Sequence, residues 1–316
     1  MRYKGKKVLV TGGSGFAGSN LVDKLVEKEA EVTVLDDFFT GHRDNLKENL
    51  DSINLVKGDV RDCTLLKKLM ENVDVVFHEA ARNIIVSTKN PREDYEVNIG
   101  GTLNVLLVAR DCDIKRVVYI SSASVYGNPR YLPINEDDGT NLLSPYAVSK
   151  YAGENYCMAF YESYGVPTTA LRYSNVYGPR QDPKNPYCGV VAKFIENVRE
   201  NKPPMIHGDG QQTRDFSYVK DVVEATMLAG YEHSAVGEVF NVGTGIETNV
   251  NTLAEDIIDI YGKDLKPRHI DKRDIDNIRR RVLNIEKIRR KLKWTPNYTL
   301  KQGLQETIDW FEQSIV

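Results

Sequence analysis

The sequence predicts an α/β protein built on a doubly wound parallel sheet. Two patterns in the N-terminal half indicate this class. Short, almost continuously apolar segments rich in valine and isoleucine alternate with longer segments of helical periodicity. Strands of this composition are buried on both faces, so helices must cover both sides of the sheet. A third observation is a glycine-rich turn between the first strand and the first helix, which indicates that the carboxyl edge of the sheet binds a ligand.

The predicted elements follow each other regularly along the chain. Strands are predicted at residues 7–10, 31–35, 54–58, 73–78 and 116–121. Helices are predicted at residues 16–27, 64–72 and 91–111. A further helix begins at Pro145, with Ser144 as its N-cap. This alternation is typical of a Rossmann-type sheet, which binds dinucleotides at the carboxyl ends of its strands.

After residue 174 the pattern becomes irregular. A loop with three prolines is predicted at residues 178–189, and helices are predicted at residues 190–200, 221–230, 252–261 and 300–314. The basic run at residues 287–293 is typical of an exposed helix face. We therefore expect residues 1–174, with a returning segment near 215–242, to form the Rossmann-type domain. Residues 175–316 are expected to form a smaller, mostly C-terminal α/β lobe.

The composition excludes several classes of protein. The 316-residue chain is 41% hydrophobic and 28% charged, unlike disordered proteins. Its formal net charge of −3 gives no basic excess, so we expect no nucleic-acid partner. No stretch approaches the ~20 apolar residues of a membrane-spanning helix, so we expect no membrane partner. The four cysteines are scattered without a C-x-x-C pair, which favours a reducing cytosol, so we expect a cytoplasmic protein. The cysteines and histidines are scattered, so we expect no bound metal.

The glycine-rich turn has the spacing of a phosphate-binding site. Gly12 permits a tight turn, Gly15 lets the backbone approach a pyrophosphate, and Gly18 allows the helix to pack closely on the strand. Phe16 and Ala17 open the helix, whose N-terminus favours negative charge. A glycine turn without a ligand is the alternative interpretation.

Acidic residues after the next two strands indicate which dinucleotide binds. Asp36, followed by Asp37, lies where a carboxylate accepts hydrogen bonds from the ribose hydroxyls of adenosine. The same charge would repel a 2′-phosphate, so NAD is favoured over NADP, a preference that Arg43 nearby could soften. Asp59 and Val60 follow the third strand, where they can meet the adenine. A turn-capping role for Asp59 is the alternative.

Tyr146 and Lys150 lie four residues apart in the helix that begins at Pro145, so they share one face. The pKa of a phenol is near 10, too high for a base at neutral pH. A neighbouring ammonium and the positive nicotinamide ring of NAD⁺ favour the phenolate and lower this pKa. The same Lys150 can hold the nicotinamide ribose. Simple packing is the alternative, because four more tyrosines lie in the same helix.

Serines end the fifth predicted strand, within the segment 121–127. This is the sheet edge at which ligands bind. A hydroxyl there can hydrogen-bond a substrate oxygen and exchange a proton with Tyr146. Ordinary turn formation is the alternative for a serine-rich strand end.

Together these motifs resemble the extended short-chain dehydrogenase/reductases, and specifically the NAD-dependent sugar-nucleotide epimerase/dehydratase family. The three principal matches are TGGSGFAG at 11–18, SSASVYG at 121–127 and SPYAVSK at 144–150. Further matches are HEAA at 78–81, Asn98, LRYSNVYGPR at 171–180, GDG at 208–210, TRDF at 213–216, and Trp294 with Pro296. The resemblance covers nearly the whole chain.

The resemblance implies roles for individual residues. The implied catalytic residues are Ser122, Tyr146 and Lys150. Besides the residues of the turn and the two acidic positions, the implied NAD contacts are Ala80, Ala81, Asn98, Ser121, Tyr146, Lys150 and Tyr173. The implied substrate contacts are Ser122, Ser124, Asn175, Gly189, Val190, Lys193, Arg214 and Arg273, with Arg279, Arg280 or Arg281 as alternatives to Arg273. Arginine suits this role because its planar fork of donors matches a phosphate. The resemblance also implies a homodimer, formed through helices around 91–111 and 146–164.

The strand end distinguishes between reactions within the family. Sugar 4,6-dehydratases carry an Asp and a Glu where this chain has Ala123 and Ser124, and sugar-nucleotide decarboxylases usually keep the Glu. The chain therefore resembles the 4-epimerases. The implied reaction is NAD-dependent epimerisation at C4 of a UDP-sugar through a transient 4-keto intermediate.

The choice of sugar is less constrained. UDP-glucose and UDP-galactose are favoured, because relatives that act on UDP-glucuronate more often carry Thr at the position of Asn175. UDP-N-acetylglucosamine and UDP-glucuronate remain alternatives, since Arg281 or a neighbour lies where a side chain gates the pocket or could receive a uronate carboxylate. A 4-keto sugar-nucleotide reductase and a catalytically idle NAD-binding protein are alternatives of other kinds.

Overall fold

The computed structural model describes residues 2–183, 185, 189–272 and 278–313. Its strands are, in chain order, β1 (Lys7–Thr11), β2 (Glu31–Asp36), β3 (Ile53–Lys57), β4 (Val75–His78), β5 (Arg116–Ser122), β6 (Thr168–Tyr173), β7 (Asn175–Tyr177), β8 (Met205–His207), β9 (Thr213–Arg214), β10 (Phe216–Tyr218), β11 (Glu238–Val242), β12 (Thr248–Asn249) and β13 (Arg268–Ile270). Its α-helices are α1 (Phe16–Glu27), α2 (Cys63–Met70), α3 (Ile84–Lys89), α4 (Pro91–Asp94), α5 (Thr102–Asp111), α6 (Pro145–Tyr164), α7 (Val190–Arg199), α8 (Val219–Tyr231), α9 (Val250–Tyr261), α10 (Glu286–Leu292) and α11 (Leu300–Gln313).

Seven strands form one parallel sheet in the order β3-β2-β1-β4-β5-β6-β11. The chain moves outward from β1 to β3 and then returns to the centre and moves outward the other way from β4. This is the doubly wound, Rossmann-type arrangement that the sequence predicts, so the fold class is confirmed. All five predicted strands are present, with ends within two residues of the prediction.

Helices cover both faces of the sheet, as the apolar strands require. Neighbouring residues of β1 point to opposite sides: Val10 packs into the core that includes Leu25 of α1 and Val222 of α8. Leu9 packs into the second core, which includes Leu106 of α5 together with residues of α2 and α6. The sheet is therefore buried along its length, and only its carboxyl edge is free to form a site.

The segment predicted as one helix at 91–111 is divided in the structure. α4 is followed by a π-helix over Tyr95–Gly101, and α5 begins only at Thr102. The preceding helix α3, with Asn83 as its N-cap, was not predicted. A single α-helix is therefore the wrong prediction here. The apolar periodicity does not reveal the wider π-turn, which is a feature often found at functional sites.

α6 has the ends that the sequence predicts. The Ser144 hydroxyl accepts a hydrogen bond from the Ala147 backbone N–H (3.1 Å), and Pro145 occupies the first helical position. The helix ends at Gly165, whose φ of +69° is left-handed and favours glycine. The helix carrying Tyr146 and Lys150 is thus fixed in register at both ends.

The remaining strands pair in three short sheets beyond the carboxyl edge. β7 pairs with β10 and β8 with β13, both parallel, while β9 pairs with β12 antiparallel. α7, α9 and α11 pack around them through apolar residues of the first core. β11 and α8 return to the large sheet and its face. Within the described ranges, no helix is both long and apolar enough to cross a membrane.

Candidate active site

A cleft runs along the carboxyl ends of β1, β2, β3 and β4. Ten of the residues predicted to bind the cofactor line it, namely Gly12, Gly15, Phe16, Ala17, Asp36, Asp37, Asp59, Val60, Ala80 and Ala81. Glu79, Arg82 and Val97 line it as well. The sequence analysis assigned no role to these three residues.

The glycine turn forms a cradle that side chains would fill. Gly12 has a φ of +71°, and a Cβ on it would lie 2.7 Å from the backbone nitrogen of Ala80. Gly15 is the N-cap of α1 and contributes no capping side chain, so the first turn of the helix is left open. Backbone N–H groups at an open helix N-terminus favour a phosphate or pyrophosphate. The turn therefore fits the pyrophosphate of a dinucleotide.

Asp36 is held firmly at the end of β2. Its carboxylate accepts hydrogen bonds from the backbone N–H groups of Ser14 (2.9 Å) and Phe38 (2.8 Å), and the residue is buried. A carboxylate so oriented still has free lone pairs for the two hydroxyls of a ribose. Arg43, which the sequence suggested as a modifier of the NAD preference, is exposed at the start of a 3₁₀ turn.

The end of the cleft predicted to hold the adenosine is bordered by ion pairs. The buried Arg82 guanidinium lies 2.6 Å from Asp37 and 2.9 Å from Glu93. Arg61 makes a two-point contact with Asp59, with nitrogen to oxygen distances of 2.6 and 3.0 Å. Asp37 and Asp59 were predicted from the sequence, whereas their arginine partners were not. Arg82 directly follows the HEAA segment, and that position is the one signal that could have drawn attention to it.

Lys150 is buried and anchored to the neighbouring strand. Its ammonium donates a 2.6 Å hydrogen bond to the carbonyl oxygen of Ile120 in β5 and lies 5.1 Å from the centre of the Tyr119 ring. Burial lowers the pKa of Lys150 to about 8, and the nearby charges of Glu79 and Asp94 oppose that shift. Within the described ranges it has no carboxylate within ion-pair distance. The protonation of Lys150 therefore depends on how burial and the neighbouring charges set its pKa.

Tyr146 lies beside Ser122, as the sequence predicts. Burial raises the pKa of Tyr146 to about 12, and a hydrogen bond with Ser122 lowers it. The charge of Asp94 raises this pKa further, while that of Arg281 lowers it. The lowered pKa expected from the sequence refers to the enzyme with NAD⁺ bound and stays a prediction; in the chain alone, burial outweighs the groups that lower the pKa of Tyr146. The groups that favour the phenolate are Ser122 and Arg281.

Asn98 connects the segment after β4 to α6. Its side-chain oxygen accepts from the Arg82 backbone N–H (2.7 Å), and its nitrogen donates to Asp94 (2.6 Å). Asp94 also accepts from the Ser149 hydroxyl (2.9 Å), next to Lys150 in α6. The predicted cofactor residue Asn98 thus has both ends of its amide bonded within the chain. Asp94, which the sequence analysis missed, connects the π-helix to α6.

The hydroxyls of two other predicted cofactor residues also bond within the chain. The Ser121 hydroxyl donates to Glu154 (2.8 Å), whose carboxylate forms a two-point ion pair with Arg172 (2.6 and 2.9 Å). The hydroxyl of Tyr173 bonds to that of Thr226 in α8. Both predicted residues are buried at the ends of β5 and β6. Through these bonds they join β5 to α6 and β6 to α8.

Asn175 and Arg281, both named among the candidate substrate residues, lie together near Tyr146. Asn175 accepts a hydrogen bond from buried Arg281 (3.3 Å), and Arg281 influences the phenol of Tyr146. Arg214 is buried and donates to the carbonyl oxygens of Thr213 and Ile278, both at 2.8 Å. The Ser124 hydroxyl oxygen is buried and has no hydrogen-bond partner in the described part of the chain.

The other predicted substrate residues lie further along the chain. Gly189 is the N-cap of α7, Val190 is its first residue and Lys193 lies one turn further on. Arg273 lies outside the described residues. Arg279 and Arg280 are largely exposed and pair with acidic side chains, which leaves Arg281 as the arginine of this run that reaches the site. Within the described ranges, no group of three or more His, Cys, Asp or Glu side chains is arranged to hold a metal ion.

Comparisons with known proteins agree with this geometry. The sequence profile of the NAD dependent epimerase/dehydratase family matches residues 8–243. A protein of Mycolicibacterium smegmatis named UDP-glucose 4-epimerase is 39% identical over 310 residues, which cover 96% of this chain and 98% of that protein.

Solved structures are similar over the whole fold. The UDP-N-acetylglucosamine 4-epimerase of Methanobrevibacter ruminantium, in complex with UDP-N-acetylmuramic acid, superposes with a TM-score of 0.93 at 36% identity, over 98% of this chain and 99% of that one. The UDP-glucose 4-epimerase of Thermotoga maritima, with UDP-glucose, has a TM-score of 0.93 at 35% identity, over 98% of this chain and 100% of that one. The two neighbours therefore share a fold with this chain but differ in the sugar named for them.

Proposed function

Because the chain belongs to the NAD-dependent epimerase/dehydratase family, we propose that it inverts C4 of a UDP-sugar, with UDP-glucose and UDP-galactose as the favoured pair. The reaction is an isomerisation through a transient 4-keto sugar. NAD, when bound, accepts a hydride from C4 and returns it to the opposite face of the ketone. The residues of this chain bind and orient the sugar nucleotide and move the proton.

One observation carries the choice of epimerisation over elimination. Directly after Ser122 the strand end carries an alanine at 123 and a serine at 124, so neither position offers a carboxyl group. A dehydratase needs a carboxyl group there to remove the sugar's hydroxyl as water. The buried acid near the phenol, Asp94, is already bonded to Ser87, Asn98 and Ser149 and is not available as a proton donor. The site is thus equipped for proton and hydride transfer at one carbon.

Tyr146 is the proposed general base, with Ser122 beside it. As the sugar O4 loses its proton, the phenolate of Tyr146 receives it, and Ser122 hydrogen-bonds both oxygens during the transfer. The positive charges of Arg281 and of the oxidised nicotinamide lower the phenol pKa from the value that burial sets. In the second half of the reaction, Tyr146 returns the proton to O4 after the ketone has presented its other face.

The diphosphate is the proposed anchor about which the sugar turns. Arg214, Arg281 and Asn175 lie together on the second-lobe side of the phenol. A buried arginine fork suits a phosphate oxygen, and binding at this remote group keeps the ketone in the site while the sugar rotates. The unpartnered hydroxyl of Ser124 is the proposed contact to the sugar itself.

We propose a matching division of the chain. Residues 1–174, with the returning segment near 215–242, hold NAD, and residues 175–316 hold the sugar nucleotide. The support is that the cradle and Asp36 lie at the carboxyl edge of the large sheet and Lys150 lies on α6 and bonds to β5. Asn175 and Arg281 come after β6 in the chain.

We further propose a cytoplasmic homodimer. Large apolar side chains are exposed on the π-helix and α6, at Tyr95, Val148, Tyr156 and Tyr164. Exposed apolar groups on two neighbouring helices favour an isologous contact between copies. The three described cysteines carry free thiols, as is usual in a reducing compartment. Light scattering of wild type should give the mass of two chains and Val148→Asp that of one; a monomeric wild type at micromolar concentration contradicts the dimer.

The function is tested with a panel of UDP-sugars. Purified protein with NAD is incubated with UDP-glucose, UDP-N-acetylglucosamine or UDP-glucuronate, and inversion at C4 is followed by NMR. We expect UDP-glucose to convert to UDP-galactose and Tyr146→Phe to be inactive. Preferred inversion of another sugar would overturn the choice of substrate. Folded protein that inverts none of them would overturn the function.

A further inference from the structure

Glu79 is an acidic residue of the cofactor cleft to which the mechanism gives no task. It directly follows β4, at the carboxyl edge of the sheet, and its backbone N–H donates to the carbonyl oxygen of Thr11 (3.1 Å). A Cβ on Gly12 would lie 3.0 Å from the Glu79 carbonyl carbon, so this residue abuts the phosphate cradle. Its carboxyl group is partly buried and lines the cleft.

The other acidic residues of the cleft have partners, and Glu79 does not. Asp36 accepts from two backbone N–H groups, Asp37 pairs with an arginine, and Asp59 pairs with another. In the described part of the chain, no group donates a hydrogen bond to the Glu79 carboxylate or forms an ion pair with it. A partly buried carboxyl group without a partner is costly unless a ligand completes its surroundings.

Two ionisable groups from the neighbouring elements face Glu79. They are the ammonium of Lys150 on α6 and the phenol of Tyr173 on β6. On its own strand, burial lowers the pKa of His78 to about 3, so that ring is neutral. Burial raises the pKa of Glu79 itself to about 7, and Lys150 opposes that shift. β4 pairs with β5, where the Ile120 carbonyl oxygen holds the Lys150 ammonium, whereas Asp36 ends β2 on the other side of β1. Glu79, directly after β4, therefore lies toward Lys150 and away from Asp36.

We propose that Glu79 faces the nicotinamide end of the bound coenzyme and makes the chain prefer NAD⁺ to NADH. This inference rests on the proposed function, which places the nicotinamide ribose on Lys150. The oxidised ring carries a positive charge and the reduced ring carries none, so a nearby carboxylate attracts only the oxidised form. The preference helps an epimerase, because it favours return of the hydride to the ketone over accumulation of reduced coenzyme.

The test is a coenzyme competition without any sugar. The protein is incubated with equal amounts of NAD⁺ and NADH until the bound composition is constant, free coenzyme is removed, and the bound forms are quantified. We expect wild type to hold mainly NAD⁺ and Glu79→Gln to shift the bound ratio toward NADH by about tenfold at a pH above 7. Asp37→Asn, which removes a carboxylate at the adenosine end of the same cleft, is the matched control and should leave the ratio unchanged.

The pH dependence gives a second readout that needs no variant. Above a pH of about 7 Glu79 is ionised and favours NAD⁺, and below it the carboxyl group is neutral and the preference is lost. The wild-type ratio should therefore rise through this range, while Glu79→Gln should lack this rise and keep only the change that deprotonation of Lys150 causes near pH 8. A wild-type ratio that does not change with pH, or a folded Glu79→Gln protein with the wild-type ratio, would overturn the proposal. Absence of C4 inversion with an intact coenzyme preference would overturn the proposed function alone.

Discussion

The Lys150 ammonium donates to the Ile120 carbonyl oxygen at 2.6 Å, and this bond joins α6 to β5 two residues before Ser122. The helix that carries Tyr146 and the strand end that carries its hydrogen-bond partner are therefore held in one register. The position of Lys150 matters as much as its charge, because the bond orients both elements.

Replacing Lys150 tests the bond to Ile120 and the buried charge together. We expect Lys150→Met to lower kcat by about 10²–10³-fold, since both the bond to Ile120 and the buried cation are lost. Steady-state kinetics with matched thermal melting measures the effect. Lys150→Arg keeps the charge and serves as the comparison. Wild-type kcat in Lys150→Met would contradict an active role for this residue.

Removing the Ser122 hydroxyl should move the pH profile. The hydrogen bond from Ser122 lowers the pKa of Tyr146, so Ser122→Ala raises it. Because the phenolate is the active form, the rise of kcat with pH should shift to higher pH. Ser124→Ala, two residues away, is the control and is expected to change KM without moving the profile. An unshifted profile in Ser122→Ala would show that this hydroxyl does not act on the phenol.

Comparing alanine variants of Gly12 and Gly5 separates loss of the cradle from the effect of backbone strain alone. Gly12 and Gly5 both have left-handed φ values, +71° and +68°, but a Cβ on Gly12 meets Ala80 whereas one on Gly5 meets open space. Both alanine variants should lose about 1–2 kcal/mol of unfolding free energy from the left-handed φ. Gly12→Ala should lose more, because its Cβ would lie 2.7 Å from the Ala80 backbone nitrogen. Only Gly12→Ala should also lose NAD binding, measured by calorimetry. Equal NAD affinity in the two variants would argue against the turn as the pyrophosphate site.

Asp36 is expected to determine the choice between NAD and NADP. Asp36→Asn removes the charge that repels a 2′-phosphate, so the affinity for NADP relative to NAD should rise about tenfold or more. Asp59→Asn lies in the same cleft, removes the carboxylate that Arg61 holds, and should leave this ratio unchanged. Binding of both coenzymes to each variant provides the comparison. An equal change in the two variants would remove Asp36 from the ribose site.

Glu154 and Arg172 should stabilise the fold only when both are present, because each neutralises the buried charge of the other. Both side chains are buried, so Arg172→Met or Glu154→Gln alone should cost about 3–5 kcal/mol of unfolding free energy. The double variant should cost less than the sum, because it leaves no unpaired buried charge. Urea denaturation of the four proteins measures this. Strictly additive losses would show that the two residues do not stabilise each other.

The features that the sequence predicted well are local ones. Apolar strands, the spacing of Gly12 and Gly15, and the four-residue step from Tyr146 to Lys150 are all properties of short segments. The pairing of Ser122 with Tyr146 also followed, because both sit at the same edge of a parallel sheet. These signals were enough for the fold and for most of the cofactor cleft.

The features that the sequence missed depend on residues far apart in the chain. Arg82 meets Asp37 across the cleft, and Asp94 meets Ser149 on another helix, so neither contact has a local pattern. The rise that burial causes in the pKa of Tyr146 was not foreseen from the sequence, because burial is a property of the assembled fold. The π-helix was missed because its wider turn does not change the apolar pattern from which helices are predicted.

The most direct test follows deuterium placed at C4 of UDP-galactose. If the hydride leaves C4 and returns to the same carbon, the UDP-glucose product must retain the deuterium at C4, with no label in free coenzyme or solvent and no need for added reductant. Mass spectrometry of the product measures this. Retention of essentially all the label is the predicted result. Loss of the label to exchangeable coenzyme would contradict the account and favour a reductase that replaces its coenzyme in each turnover.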